Sequence, residues 1–218
     1  MTATNPIDVR DMAIVHQTFR RAYGESTRLV RATPTPSAAR VRFLADHIDF
    51  GVGMLHHHHE GEDELLYPVL IAKVPEQAAH TEEVEHEHQL VAGAIDAVST
   101  ACSGWRRRPT AETGEALAAA LDSLNAQLQP HLDDEERDIV PLAAVTLTQE
   151  EWEAIGEHSR SQIPRNKMAI AFGMLLEPLD DSDRAYMKAT LPAPVRLLYP
   201  LLIQRPWTKY ATTLRNGS

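Results

Sequence analysis

The 218-residue chain holds a single cysteine, Cys102, so no disulfide can close within it, and a reducing compartment is the expected setting. Aromatic residues make up only 6% and glycines number 10, too few for an all-β sandwich with a turn every ten or so residues. No apolar run approaches the ~20 residues of a membrane helix, and Met1 to Arg20 contains no apolar segment of the signal-peptide kind. A soluble, cytoplasmic protein is expected. Positive charge is also scarce: 21 Lys and Arg stand against 31 Asp and Glu, a formal net charge of −10. A nucleic-acid binder needs a basic face to displace counterions from phosphates, so that class is set aside. What the chain has in abundance is histidine, with 11 residues.

Four long segments show helical periodicity between breakers. The first runs from about Ile7 to Arg31 and ends at Thr33-Pro34-Thr35-Pro36, where each proline disfavours helix in its predecessor. The second opens on Ser37, a good N-cap, and runs to about Lys73, ahead of Pro75. The third covers roughly Glu76 to Cys102 and stops at Ser103-Gly104; a basic loop, Trp105 to Pro109, leads to the fourth, Thr110 to about Val145. Long helices on short connections must lie antiparallel. The expected fold is therefore all-α, an up-down-up-down four-helix bundle over residues 1–146. Thr148 followed by Glu151 reads as a capping box opening a further helix around Trp152, so residues 147–218 are expected to form a helical extension packed on the bundle.

The inward stripes follow steps of three and four. They read Val9, Met12, His16, Phe19, Tyr23; Leu44, His47, Gly51, Leu55, His58, Glu62, Leu65, Val69; Val84, His88, Val91, Ile95, Val98; and Leu117, Leu121, Leu124, Leu128, His131, Glu135, Ile139, Leu142. Histidine interrupts all four apolar stripes, and a glutamate follows one turn later in two. Buried polar groups without partners are costly, and metal coordination supplies the partner.

Two stretches share one grammar: His58 to Glu62 with Pro68, and His131 to Glu135 with Pro141. The offset is 73 residues at each of the three positions, and a step of 72 takes His16 to His88. Two helical hairpins related by an internal repeat thus each bring two histidines and one glutamate to one depth of the bundle. Imidazole with carboxylate suits iron, manganese or zinc. Six donors exceed one tetrahedral zinc, and two carboxylates able to bridge favour a two-metal site.

The stripe histidine in His16-Gln17-Thr18-Phe19-Arg20, the run His57 to Pro68, the segment Glu87-His88-Gln89-Leu90 and the run His131 to Pro141 together resemble the hemerythrin-like HHE cation-binding family over about Ile7 to Val145. Thr148 to Trp152 is similar to the opening of the helical extension in actinobacterial-type members. The resemblance implies a non-haem di-iron centre, oxo- or hydroxo-bridged, with ligands His16, His58, Glu62, His88, His131 and Glu135. Oxygen-carrying members place two histidines four apart on the third helix. Here the positions four away from His88 are Val84 and Ala92, which cannot ligate. Four histidines, two bridging glutamates and one bridging oxygen leave two coordination positions open on a pair of irons, against one in the carriers. That points to reaction with dioxygen, hydrogen peroxide or nitric oxide beyond simple storage.

The remaining histidines divide. His59, rotated by ~100° from His58, flanks the site; it is read as a solvated residue of the polyhistidine run, with a swing inward as the alternative. Glu136 is the alternative to Glu135, the repeat favouring Glu135. His47 lies three turns from His58 and is read as a hydrogen-bonded core residue. His56, His57 and His86 are read as exposed, His80 and His158 have no constellation around them, and Cys102 is read as inert. Tyr23 and His59 are the acid–base candidates, and Leu55, Leu65, Leu128 and Ile139 the walls of a dry cavity.

If the protein is an enzyme, a catalase- or peroxidase-like oxidoreductase is the expected class. The alternative is an iron- or oxygen-responsive module whose folding depends on metal. No acidic residue follows Asp183, while Arg184, Lys188, Arg196, Arg205, Lys209 and Arg215 give the tail +6, leaving −16 for the first 183 residues. That tail is expected to pack on the acidic bundle, the other reading being contact with a partner or an anionic membrane surface.

Overall fold

The structure, a computed structural model, describes residues 6–34 and 36–216. Met1 to Asn5, Thr35 of the first breaker, Gly217 and Ser218 lie outside them. Four long helices dominate: α1 (Arg10–Arg31), α2 (Ala38–Leu65), α4 (Ala78–Arg107) and α5 (Ala111–Asp134). Between and after them come α3 (Tyr67–Lys73), α6 (Val140–Thr146), α7 (Gln149–Ser161), α8 (Met168–Leu176), α9 (Asp181–Ala189), α10 (Ala193–Leu197) and α11 (Arg205–Asn216). No strand occurs among the described residues.

The long helices close a ring in which α1 packs on α2 and α5, and α4 packs on α2 and α5. Residues near the start of α1 and α4 meet residues near the end of α2 and α5, as His16 meets His58 at 3.2 Å and His88 meets Glu62 at 3.7 Å. At the other end Arg31 of α1 reaches Glu115 of α5 at 2.7 Å. Neighbours in the ring therefore run antiparallel, the up-down-up-down bundle expected from the short connections.

Local chemistry sets the helix starts. The Ser37 hydroxyl accepts from Arg40 N, and Thr148 and Glu151 form a reciprocal capping box, with Thr148 N donating to Glu151 Oε2 at 2.8 Å. One boundary differs from expectation. The third long helix does not stop at Gly104 but continues through Arg107, so most of the supposed basic loop is helical. The indole of Trp105, fully buried against Gly114, rewards that extra turn. A Cβ at Gly114 would sit 3.3 Å from Trp105 Nε1, close enough that the indole would have to give by a few tenths of an ångström.

The second and fourth segments are each interrupted just past their glutamate. α2 ends at Leu65 and the chain restarts as α3; α5 gives way to a π-helical turn, Glu135–Ile139, before α6. Pro68 and Pro141 sit at the second position of α3 and α6, where a missing N–H costs least. Each interruption advances the inward face by one residue, about 100°. Leu66 and Leu70 are fully buried where the unbroken stripe gave Leu65 and Val69, and Ala143 is buried where it gave Leu142.

Two apolar layers result. The larger, below the cluster of histidines, is built on Leu44, Leu55, Val98, Trp105, Leu121 and Leu128. The smaller caps it with Leu66, Tyr67, Leu70, Ile139, Trp152 and Ile155. From the extension, α7 contributes Trp152, whose Nε1 donates to Asp11 at 2.9 Å, and α11 contributes Leu214 to the larger layer. The Arg40 guanidinium donates to the carbonyls of Thr213 and Leu214, and Arg215 pairs with Glu25 at 2.7 Å.

Gly173 of α8 lies directly under the Trp207 indole; an added Cβ would stand 2.3 Å from its Cγ. Alanine normally stabilises a helix interior relative to glycine, but here Gly173→Ala must displace Trp207 and is expected to cost about 1–3 kcal/mol. Thermal melts of the two proteins check the sign.

His47 is 4% exposed, and its Nδ1 shares a hydrogen bond with the Tyr210 hydroxyl of α11 at 3.1 Å. Burial pushes its pKa down to about 4; Glu25 opposes this weakly, while Lys167 and Arg215 add to it. The folded chain therefore keeps His47 neutral where the unfolded chain, at an ordinary ~6.5, takes up a proton. Stability from this group is full above pH ~6.5 and is lost as pH falls toward 4, by about 3 kcal/mol. His47→Gln is expected to reduce the difference in unfolding free energy between pH 7 and pH 4, read from urea titrations, by that amount.

Candidate metal centre

Between the two apolar layers the four long helices present only imidazoles and carboxylates. His16, His58, Glu62 and Glu135 each offer one atom to a group whose members lie within 4.8 Å of one another, and His59, His88 and His131 form a second such group. All seven side chains are buried, with Glu62 and His16 at 0% exposure. Helical spacing explains the pairs within a helix: His58 Nε2 is 3.2 Å from Glu62 Oε1, and His131 Nε2 is 3.4 Å from Glu135 Oε2, each at i and i+4.

The two carboxylates stand between the groups. Glu62 turns Oε1 toward His58 and Oε2 toward His88, at 3.2 and 3.7 Å. Glu135 Oε2 lies 3.4 Å from both His16 and His131. Six of the inward atoms, Glu62 Oε1 and Oε2, Glu135 Oε2 and the Nε2 atoms of His59, His88 and His131, make no hydrogen bond. Buried polar atoms are almost always paired, so six orphans facing one another are the arrangement that metal cations satisfy.

The outer imidazole nitrogens are held by acids. His16 Nδ1 donates to Glu136 at 2.9 Å, His88 Nδ1 to Asp63 at 2.6 Å and His131 Nδ1 to Glu87 at 3.1 Å. This fixes the tautomer that leaves Nε2 free to bind a cation. Burial, reinforced by the neighbouring imidazoles, pushes His58 and His59 well below the usual histidine range, so both present lone pairs. Burial, with Glu135 opposite, lifts the Glu62 carboxyl well above its usual range. Burial also raises Glu135, but the His131, His16 and His88 imidazoles outweigh it and hold that carboxyl low.

The sequence model of one protein family, the hemerythrin HHE cation binding domain, matches residues 8–143, more than half of the chain. The chain belongs to the hemerythrin HHE cation-binding family. No curated protein and no solved structure matches it. A hemerythrin domain binds metal cations, and the grouped histidines and glutamates fit that chemistry.

Against this hemerythrin frame, the six expected residues, His16, His58, Glu62, His88, His131 and Glu135, all stand in the cluster. Glu135 is the member of its pair that faces inward, while the partly exposed Glu136 serves His16 and the Arg20 guanidinium. His59 is the correction. It is 5% exposed, not solvated, and its ring stacks on His88 with centroids 4.1 Å apart. A rotation of ~100° from His58 turns it from the α1 side of the bundle to the α4 side, still inside.

Tyr23 is the second correction. Its hydroxyl donates to Gly51 O at 3.0 Å, within the larger apolar layer. The phenol at the cluster is Tyr67, whose hydroxyl donates to Glu135 Oε1 at 2.5 Å and whose ring stands edge-on to His88. An unbroken helix hides Tyr67; the one-residue advance before Pro68 brings it inward. Asp63, Glu87 and Glu136 went unsingled as acids for the outer nitrogens, although each adjoins a cluster residue in sequence. His56 and His86 are exposed, His57 is half-buried and paired with Glu60, and the exposed His80 pairs with Asp138. His158 approaches Glu64 at 3.7 Å. Cys102 is buried, its thiol pushed up to about 12, which keeps it protonated and unreactive. No helix among the described residues is long and apolar enough to cross a membrane.

Proposed function

We propose that this hemerythrin domain holds two iron ions and that the pair binds or reacts with a small oxidant: dioxygen, hydrogen peroxide or nitric oxide. His16 and His58 would hold one iron, His59, His88 and His131 the other, with Glu62 and Glu135 shared. The observation that carries this is the pair of unbonded carboxylates standing between two histidine groups. With His59 counted, five histidines and two shared glutamates would serve a pair of irons and, with one bridging oxygen, would leave a single coordination position open. On this count one position would be open where the sequence alone suggested two, which suits a single small exogenous ligand, whether bound reversibly or turned over. Two irons so held would supply the electrons that reduction of dioxygen or peroxide needs.

The chain's own residues prepare that chemistry. Asp63, Glu87 and Glu136 orient the imidazoles, and the two apolar layers exclude bulk water. The Tyr67 hydroxyl keeps a proton at Glu135 Oε1, and burial and the nearby carboxylates raise its pKa well above the usual phenol range. Cytoplasmic placement belongs to the same proposal.

The test is metal content and optical spectrum of protein from iron-replete cells. Two irons per chain with ligand-to-iron charge-transfer bands are expected, and His59→Ala should bring the content toward one. Zinc alone, with no such bands after reconstitution with iron, would sink the di-iron reading. Dioxygen evolution from peroxide above that of free iron would then separate turnover from reversible binding. A metal-dependent regulatory module is the second reading, favoured by the six orphaned buried atoms, which burden the metal-free fold.

A further inference from the structure

Between the face of α1 and α2 and the extension from α7 onward lies a cavity of about 730 Å³. Sites for small organic molecules run ~300–1,000 Å³, and a diatomic gas or a peroxide occupies a small part of that. Its walls are apolar, with four methionines, Met12, Met54, Met168 and Met187, beside Phe172 and Leu202. Unbranched thioethers adapt to a flexible aliphatic guest.

Polar groups are confined to particular places. His58 forms part of the floor, so the cavity reaches the wall of the metal cluster. Asp11 also lines it, but its carboxylate accepts the Trp152 indole N–H. Arg160 lies at the rim and is paired with Glu157. Arg165, exposed, also lines the cavity and has no acidic partner among the described residues. Leu202, 44% exposed, lines it as well, and its chain neighbours Leu197, Leu198 and Leu201 are 81%, 46% and 53% exposed.

An apolar trough, exposed leucines and one unanswered guanidinium match the parts of a single-chain amphiphile. We propose that the seam between bundle and extension binds one long-chain aliphatic carboxylate, its chain along the methionines and its head on Arg165. A guanidinium receives a carboxylate through two parallel hydrogen bonds, which a neutral head group cannot return. The chain then rests against His58, the one residue shared by the cavity and the cluster.

Calorimetric titration of dodecanoate and of dodecanol into the full-length metal-loaded protein tests this. Dodecanoate is expected to bind saturably at one per chain and dodecanol at least tenfold more weakly. Arg165→Ala, at an exposed position, should weaken dodecanoate about tenfold. Ala169→Phe, which puts an aromatic ring into the cavity, should weaken binding at least tenfold, with helix content and chromatographic size unchanged in both variants. No saturable binding, equal binding of acid and alcohol, or indifference to Arg165→Ala would overturn the proposal. So would many dodecanoates per chain, which would place them on the exposed leucines, or a dimer that buries those leucines and blocks the titration. Binding read this way does not depend on which metal the cluster holds, so its failure leaves the di-iron reading standing.

Discussion

Removing the metal from the protein is expected to lower its melting temperature by about 8–16 °C. A cation bound to the folded state only, at a thousandfold excess over its Kd, contributes about 4 kcal/mol, and in a chain of this size each kcal/mol moves the midpoint by about 2–4 °C. The structural ground is the six unbonded inward atoms of Glu62, Glu135, His59, His88 and His131, whose desolvation nothing else in the fold repays. Scanning calorimetry with and without a chelator, at fixed pH, measures the difference, and returning the metal should restore it. Coincident melts of metal-loaded and metal-free protein would show that the cluster does not carry the cation.

Glu62→Leu should move the two states in opposite directions. Without the carboxylate that faces both histidine groups, metal content is expected to fall from the proposed two per chain to well below one. The metal-free variant, however, should be more stable than the metal-free parent. A buried carboxyl whose two oxygens make no hydrogen bond gives way to an apolar side chain of similar size, which relieves a desolvation cost of about 1–3 kcal/mol. Metal analysis and melts in chelator read both effects from one preparation. A variant that keeps its metal, or that merely unfolds in chelator, would remove Glu62 from the centre.

The bundle and six cluster residues were legible because burial forces periodicity: a histidine in an apolar stripe is conspicuous, and the 73-residue offset repeats the anomaly. His59 was harder to see because a residue adjacent to a stripe normally points to solvent. In a ring of four helices around a polar centre, the inward arc is wide enough for two successive residues. Tyr67 and the burial of Leu66, Leu70 and Ala143 could not be read by extending the stripe, since that assumes an unbroken helix. Pro68 and Pro141 carried the warning. A proline six residues past each glutamate forbids a regular turn there, and the π-helical turn at Glu135–Ile139 and the break at Leu66 are how the backbone complies.

The acids around the outer imidazole nitrogens would also bear on the redox character of the irons proposed here. Glu62 and Glu135 lie within the cluster, and Asp63, Glu87 and Glu136 stand one imidazole away, with Arg20 answering Glu136 at 2.6 Å. Negative charge in a poorly polarisable interior favours the more positive state of a metal, and an acid on the far nitrogen makes each imidazole a stronger electron donor. For the irons proposed here, the ferric state gains more from this field than the ferrous state. An iron pair held there would have its reduction potential pushed down, and so would give electrons more readily than one in a neutral cage.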